Sequence, residues 1–372
     1  MLIFYNRYKM IDFIPLEYYT ELYYQFIMVV CLFTLLHTYM LKGDEDLVYN
    51  FNNIASSLLL IVLLLFIGLR PISGKYFADM GTYAETFFQF QNGKEISTEG
   101  DIFFEIFLKI SSSYLSVDAF FFICAFIYIV PLLVASKNWF PKYYFFSFLL
   151  LITSLSFFAY GTNGIRNGMA TSLFILALSY ANINRTKMVL FFLFSVSFHK
   201  SMMLPLLAYS VTYFFKDTVK YYAFWFISIL LSLTMGSFWI MLFSSIGFGD
   251  DRFTNYVAAG SNSGTSFRFD FVLYSCAPLV LAYIYIFKRG FISEEYNRLL
   301  HTYIVANAFW IMIIRASFSN RFAYLSWFLM AIIVGYPLLK ELIFEKQFKR
   351  VGLTVLFYYC FTFGMFYYYQ FR

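Results

Sequence analysis

Charged residues are scarce in this chain. Asp, Glu, Lys and Arg make up 13% of its 372 residues, whereas a soluble globular protein carries roughly a quarter. Apolar residues reach 61%, more than a core alone needs, because a soluble protein also requires a polar surface. The composition excludes an ordinary soluble enzyme and predicts a protein whose surface largely faces lipid.

Cysteine motifs and common catalytic motifs are also missing. The four cysteines, Cys31, Cys124, Cys276 and Cys360, lie in apolar segments without CxxC spacing, which indicates neither a disulfide framework nor a metal site. The chain has no Gly-rich phosphate loop, no H-E-x-x-H pair and no serine nucleophile elbow. We therefore expect no nucleotide, no metal ligands and no other cofactor.

Aromatic and basic residues are what the chain has instead. Tyrosine suits the headgroup region of a bilayer, and many of the 33 tyrosines flank apolar runs, for example Tyr23-Tyr24. The net charge of +6 comes from residues between apolar runs, so we expect a bilayer and not nucleic acid as the partner. Residues 1–21 do not resemble a cleavable signal peptide, and we predict one transmembrane domain over residues 1–372.

Long apolar runs recur along the whole chain. A helix needs about 20 apolar residues to cross a bilayer, and about twelve runs approach this length. Two short runs are separated by His199 and Lys200, and they are either two crossings or broken helices that meet at a cavity. We predict an all-α, polytopic transmembrane helical bundle, GT-C-like, with about twelve spans. These are Leu22–Leu41, Ile54–Leu69, Asp118–Ser136, Tyr143–Tyr160, Ile165–Ala181, Met188–Phe198, Met202–Phe215, Tyr221–Ser244, Phe269–Phe287, Leu299–Ile314, Arg321–Leu339 and Gly352–Tyr369.

Two long connections are predicted on the outer face. Residues 71–117 include a weakly amphipathic stretch, Ile102–Leu115, which we expect in the membrane interface. Residues 245–268 are rich in Gly, Ser and Asn, a composition typical of a mobile loop or lid. The short connections on the other face carry mainly lysine, which places that face in the cytoplasm. We predict a multi-pass protein of the bacterial cytoplasmic (inner) membrane, with its active site and both termini facing outward.

Arginine dominates the predicted outer face. Topology requires only charge, so a set of arginines predicts planar, bidentate anion binding. The alternative is that each arginine snorkels to headgroups from a helix end. We predict that Arg166, Arg268 and Arg321 converge on one outward-facing cavity.

Acids, amides and a histidine accompany these arginines. Asn163 lies one helical turn before Arg166, near Gly164 and Gly168, which allow close backbone approach. The pair His199-Lys200 interrupts apolar sequence, where ionisable residues are commonly functional. We predict catalytic roles for Arg70, Asp79, Arg166, His199, Arg268, Asp270 and Arg321, and substrate-binding roles for Tyr83, Asn163, Lys200, Arg252, Arg315 and Asn320.

The predicted site residues fall in short motifs that follow one another along the chain. They are Gly68-Leu69-Arg70 with Asp79 and Tyr83, Arg166-Asn167-Gly168, Phe198-His199-Lys200-Ser201, Arg268-x-Asp270-Phe271 and Asn320-Arg321-Phe322. Taken in order, these motifs resemble the EpsG family of Wzy-like polysaccharide polymerases over roughly residues 50–340. Where relatives often carry Arg-Gln, this chain has Arg166-Asn167.

The resemblance implies that a growing glycan is transferred from undecaprenyl diphosphate onto the non-reducing end of another lipid-linked repeat unit. The partners are then an undecaprenyl-diphosphate-linked oligosaccharide donor and acceptor, with a chain-length regulator. Fixed cations would stabilise the diphosphate leaving group. The acceptor hydroxyl would need a general base, for which Asp79, Asp270 and His199 are candidates.

Other functions stay open at this point. A flippase or transporter of the same lipid-linked oligosaccharide would have a similar number of spans, although we find no internal repeat between the two halves. A membrane O-acyltransferase acting on the polymer would use a histidine and an arginine, which His199 permits. The sequence does not separate a polymerase from a ligase.

Overall fold

The computed structural model describes residues 14–40, 45–96, 101–245, 267–316 and 320–371. These residues form helices and no strand, which confirms the predicted all-α class. The chain divides into two compact units, which are described separately below. Unit 1 is Met1–His199 with Phe348–Arg372, and unit 2 is Lys200–Gln347. The single domain predicted over residues 1–372 stays a prediction.

Unit 1 contains ten of the described helices. They are α1 (Leu16–Met40), α2 (Glu45–Gly68), α3 (Ala78–Gln91), α4 (Ile102–Tyr114), α5 (Val117–Trp139), α6 (Tyr144–Ile152), α7 (Phe157–Thr162), α8 (Ile165–Ser179), α9 (Arg185–Phe198) and α16 (Gln347–Gln370). Within this unit, the pairs α5 and α8, α8 and α9, and α2 and α5 pack most extensively against each other.

Unit 2 contains six of the described helices. They are α10 (Met203–Val211), α11 (Thr218–Ser245), α12 (Phe269–Tyr283), α13 (Glu294–Met312), α14 (Asn320–Trp327) and α15 (Met330–Lys340). Helix α13 packs against α10, α11 and α14. Asn307 of α13 joins α11, α12 and α14, because it accepts from Trp225 Nε1 (2.8 Å) and donates to Ser275 Oγ (3.1 Å) and Ser326 Oγ (3.0 Å).

Seven helical segments among the described residues are long and apolar enough to cross a bilayer. They confirm a multi-pass helical membrane protein, while the count of twelve stays a prediction. The segments are Leu16–Met40, Asn50–Gly68, Val117–Trp139, Thr218–Phe243, Phe269–Lys288, Arg321–Lys340 and Gln347–Tyr368.

The predicted span Tyr143–Tyr160 is two helices, with α6 ending at Ile152 and α7 beginning at Phe157. The hydroxyls of Thr153 and Ser154 donate to the carbonyls three residues earlier, at 2.9 and 2.8 Å. Such side-chain bonds compete with the helical ladder. Two small polar residues inside an apolar run therefore favour the break between α6 and α7.

The predicted outer connection 71–117 contains two helices. The amphipathic stretch Ile102–Leu115 corresponds to α4, as expected, and α3 precedes it. Helix α3 buries Met80, Ala84 and Phe87, which share one face by helical spacing. Polar residues and Gly81 between them hide this pattern in the sequence.

Several tyrosines are buried instead of lying on the surface, and they bind backbone carbonyls. At the break between α6 and α7, Tyr23 donates to the Ile152 carbonyl (3.1 Å) and Tyr128 to the Phe157 carbonyl (3.0 Å). In unit 2, Tyr296 donates to the Ile333 carbonyl at 3.1 Å, four residues before Pro337, which has no N–H to offer it. The hydroxyls therefore satisfy carbonyls near helix interruptions.

Candidate functional site

Asp101 joins two of the predicted catalytic residues in unit 1. Its Oδ2 lies 2.8 Å from Arg166 Nη1 and 2.8 Å from His199 Nδ1. The Asp101 side chain is 4% exposed, His199 is 12% exposed and Arg166 is 20% exposed. We name these three residues the Asp101 cluster. It combines a carboxylate, an imidazole and a guanidinium in a largely buried setting.

The start of α4 positions Asp101. Its backbone carbonyl accepts from the amides of Phe104 (3.0 Å) and Glu105 (3.2 Å), which begins the helix. Its side chain makes no capping hydrogen bond, although an Asp at this position usually caps the helix. The carboxylate is instead directed to Arg166 and His199.

The end of α9 positions His199. The residue has an extended backbone (φ −154°, ψ 113°), and its amide donates to the Ser195 carbonyl at 3.2 Å. Ser195 Oγ in turn donates to the Ala170 carbonyl of α8 at 2.6 Å. This bond ties the helix that ends at His199 to the helix that begins beside Arg166.

Close packing around Tyr160 positions Arg166 in the first turn of α8. A Cβ added at Gly164 would lie 2.9 Å from Tyr160 Cδ1, and one added at Gly168 would lie 2.8 Å from the Tyr160 carbonyl oxygen. Any larger residue would push α7 and α8 apart. The close approach predicted for these two glycines is therefore confirmed, and it fixes the turn that carries Arg166.

Arg70 is 2% exposed and binds the backbone just before the first turn of α8, which carries Arg166. Its guanidinium donates to the carbonyl of Ile67 and, from Nη2, to the carbonyl of Thr162 at 3.1 Å. These carbonyls belong to the last turns of α2 and α7, where cations are stabilised. Burial lowers the pKa of Arg70 to about 10, so the side chain is charged at neutral pH. Arg70 therefore ties α2 to the turn before Asn163.

Aromatic rings surround the Asp101 cluster. The guanidinium of Arg166 lies 5.9 Å from the ring centre of Phe104, and Tyr83 packs edge-on against Phe104 at 5.2 Å. Phe103 packs edge-on against Phe198 at 5.0 Å, directly before His199. Apolar walls of this kind strengthen electrostatic interactions because they exclude water.

The cluster keeps unused hydrogen-bonding groups. Within the described parts of the chain, His199 Nε2 and the Nε and Nη2 groups of Arg166 have no hydrogen-bond partner. The Oδ1 atoms of Asn163 and Asn167 are buried and, in the same ranges, also make no hydrogen bond. His199 and Arg166 therefore keep an imidazole nitrogen and guanidinium donors for a polar ligand, and two buried amide oxygens lie close to Arg166 in the sequence.

Unit 2 contains a second arginine–aspartate pair, Arg268 and Asp270. It is bidentate, with Nε to Oδ1 at 2.9 Å and Nη2 to Oδ2 at 2.6 Å, and the guanidinium lies 3.8 Å from the ring centre of Phe271. The side chains are 37% and 56% exposed. This pair begins α12, and its two residues lie two positions apart.

Arg315 and Arg321 flank the connection between α13 and α14. Arg315 is half-buried against α11, where a Cβ added at Gly236 would lie 3.4 Å from its Cδ. Gly236 follows the kink of α11 at Met235 (φ −133°, ψ 31°). Arg321 is exposed in the first turn of α14. The side chain of Asn320 and all of Arg252 lie outside the described residues.

The remaining candidates are exposed. Asp79 lies in the first turn of α3 and forms no ion pair with any residue that the structure describes. Lys200 begins the short 3₁₀ segment Lys200–Met202 of unit 2. Arg166 belongs to unit 1, whereas Arg268 and Arg321 belong to unit 2, so their convergence stays a prediction.

Asp101 is the residue that the sequence analysis missed. It precedes the apolar run that becomes α4, which is the position of a helix N-cap, and that signal describes a structural role only. Its two partners come from distant parts of the chain. No group of three or more His, Cys, Asp or Glu residues that could hold a metal ion is found in the described ranges.

The long apolar helices place this chain among the multi-pass helical membrane proteins. A family model described as the EpsG family matches residues 53–372, and the chain belongs to that family. The matched region includes the whole Asp101 cluster and confirms the resemblance. Membership indicates a membrane protein of the polysaccharide polymerase type. The chain matches no curated protein and no solved structure.

Proposed function

We propose that this protein is a polysaccharide polymerase that transfers a growing glycan from undecaprenyl diphosphate onto the non-reducing end of another lipid-linked repeat unit. One observation carries the proposal: a largely buried arginine and a histidine, each with unused hydrogen-bonding atoms, share one carboxylate at 2.8 Å. The reaction needs a cation for its leaving group and a base for its acceptor, and the Asp101 cluster contains both.

Arg166 stabilises the leaving group. As the bond between the anomeric carbon and the diphosphate oxygen breaks, the electron pair stays on that oxygen, and negative charge develops on the diphosphate. The Nε and Nη2 groups of Arg166 donate to the phosphate oxygens while Nη1 remains bound to Asp101. Fixed donors of this kind contribute about 10²–10³ in rate.

His199 accepts the proton of the acceptor hydroxyl. The acceptor oxygen attacks the anomeric carbon, a new glycosidic bond forms, and the hydroxyl proton moves to Nε2 of His199. We prefer His199 to the two aspartates because Asp79 is exposed without an ion-pair partner in the described residues, and Asp270 already accepts two bonds from Arg268. A general base works best when neighbouring groups hold it in place.

Buried amide oxygens bind the sugars. The Oδ1 atoms of Asn163 and Asn167 lack hydrogen bonds within the described residues, and a buried acceptor without a donor is costly. Sugar hydroxyls supply such donors. The roles predicted from the sequence for Arg268, Arg315 and Arg321 stay predictions. The site faces outward from the bacterial cytoplasmic membrane, where a chain-length regulator is a further partner.

Reconstitution tests the proposal. Purified protein in proteoliposomes is supplied with lipid-linked repeat units, and both polymer and released undecaprenyl diphosphate are measured. We expect a ladder of longer glycans and one released lipid diphosphate for each bond formed. Translocation of the substrate without a new bond would identify a flippase, and acyl transfer onto finished polymer would identify an acyltransferase; either result overturns the proposal.

A further inference from the structure

We propose that Asp101 is a positioning residue that holds His199 as the Nδ1–H tautomer, leaving Nε2 unprotonated and free to accept the proton of the acceptor hydroxyl. This inference rests on the proposed function for its role in catalysis. The tautomer itself follows from the geometry of the Asp101 cluster and can be measured without any turnover.

The chemistry of the 2.8 Å contact fixes the proton. An ionised carboxylate can only accept hydrogen bonds, so the N–H in the contact between Asp101 Oδ2 and His199 Nδ1 must belong to the imidazole. A neutral imidazole carries one N–H, and its other nitrogen is then an acceptor. Nε2 is therefore the nitrogen with the free lone pair.

Arg166 keeps Asp101 in the form that this arrangement needs. A carboxylate that is only 4% exposed is stable when a cation compensates its charge, and Arg166 Nη1 lies 2.8 Å from the same oxygen that His199 contacts. The shared oxygen also couples the two roles. When His199 becomes an imidazolium, Asp101 lies between two cations, and the site gains positive charge as the leaving diphosphate gains negative charge.

Backbone hydrogen bonds hold Asp101 and His199 in place. The carbonyl of Asp101 accepts the first two amide bonds of α4, and the amide of His199 is bound to Ser195. Both residues are therefore held at helix ends by bonds that do not involve their side chains. The carboxylate is thus left for orientation and not for capping.

The substitution Asp101→Leu tests this role, because leucine is similar in size and has no acceptor for the Nδ1–H. Asparagine would not test it, since Arg166 can only donate and would keep the carboxamide oxygen at the shared position, where that oxygen still accepts from Nδ1–H. Without the acceptor the Nδ1–H tautomer is no longer favoured, and in the Nε2–H tautomer Nε2 cannot accept a proton. Loss of the orienting carboxylate in the serine protease triad lowers kcat by about 10⁴. We expect a loss of roughly 10²–10⁴ in kcat with little change in KM, because the carboxylate does not contact the substrate.

Nitrogen-15 NMR of labelled histidines measures the tautomer directly. The chain has three histidines, and the His199→Gln variant identifies the signals of His199. In the neutral imidazole of His199 we expect Nδ1–H in the native protein and no preference for Nδ1–H in Asp101→Leu. The control Asp118→Asn removes an acid from the first turn of α5 that forms no ion pair with Arg166 or His199, and we expect it to change neither signal.

A double-mutant cycle separates positioning from folding. If Asp101 acts through His199, Asp101→Leu lowers the rate strongly in the native background and causes no further loss in His199→Gln. An equal loss in both backgrounds would overturn the inference, as would an Nε2–H tautomer in the native protein. If the native protein shows the Nδ1–H tautomer but forms no polymer, the proposed function fails while the role of Asp101 in holding His199 stands.

Discussion

The two arginine–aspartate pairs of this protein differ in what they organise. Arg166 and Asp101 come from different helices, are 20% and 4% exposed, and share their carboxylate with a histidine 98 residues from the aspartate. Arg268 and Asp270 are two residues apart, are 37% and 56% exposed, and use both carboxylate oxygens on each other. The buried pair joins three residues that are distant in the chain, whereas the exposed pair joins two residues at the start of one helix.

The comparison teaches how to weigh an ion pair found in a membrane protein. An exposed pair contributes about 0–1 kcal/mol to stability, because water competes for both partners. Removing one partner of a buried pair leaves an uncompensated charge and costs about 3–5 kcal/mol. A fold that contains a buried pair therefore loses much stability when either partner is removed. The proposed chemistry of the Asp101 cluster is a reason for such a pair to be present.

The largest loss of activity is expected from His199→Gln, which removes the proposed base from the Asp101 cluster. Loss of a general base costs about 10²–10⁴ in rate. Asp79→Asn is the matched control, because Asp79 is exposed in α3, and we expect it to keep nearly native activity. The rate of lipid diphosphate release in proteoliposomes measures both variants. Strong loss in Asp79→Asn with native activity in His199→Gln would reverse the assignment of the base.

Arg166→Lys should follow, with a loss of about 10²–10³ in rate. Lysine keeps the charge but not the planar fork that binds Asp101 and a phosphate at once. The same change at Arg268, in the exposed pair, should lower the rate less than tenfold, about 1.4 kcal/mol. Polymer length on gels compares the two variants, with insertion and folding checked by detergent solubility. Native polymer in Arg166→Lys would reduce Arg166 to a topology signal.

Stability should separate the two pairs as well. We expect Asp101→Ala to destabilise unit 1 by about 3–5 kcal/mol, and Asp270→Ala to cost about 0–1 kcal/mol in unit 2. Unfolding in mild detergent, followed by exposure of buried cysteines, provides the measurement. Cys124 is buried in unit 1 and reports on that unit. Equal losses for the two variants would mean that burial does not distinguish the pairs.

The smallest effect concerns the turn that carries Arg166. Gly164→Ala forces a Cβ to 2.9 Å from the Tyr160 ring, and overpacking of this kind costs about 1–3 kcal/mol. Gly364→Ala in α16 meets no atom within 4 Å and should stabilise that helix by up to about 1 kcal/mol. Thermal unfolding of both variants checks the contrast. Equal melting temperatures would show that the turn has room to relax.

Much of the fold is readable from the sequence, because lipid as a solvent demands long apolar helices and these stand out in composition. The breaks are harder to read. Thr153 and Ser154 interrupt one predicted span through bonds to carbonyls three residues earlier, and the same residue types also occur inside intact helices. Helix α3 was missed because its buried face is diluted by polar residues.

The candidate site was predicted one residue at a time. Arg166 and His199 are visible because ionisable groups next to apolar runs are costly. The sequence does not indicate a functional role for Asp101, because that role depends on two partners that are distant in the chain. A single sequence shows no such pairing, and the helix N-cap position of Asp101 points to a local role that its side chain does not take.

The central claim is that fixed arginine, and not a bound metal, stabilises the diphosphate that leaves during polymerisation. The most direct test is the rate of undecaprenyl diphosphate release by the purified native protein with and without EDTA. The Asp101 cluster has one carboxylate, which is already bound to Arg166 and His199, whereas a magnesium site uses one or two free carboxylates with substrate phosphates. We predict that the rate is unchanged by EDTA. Complete loss of release, restored by magnesium or manganese, would contradict this claim and would make the exposed Asp79 the first ligand to test.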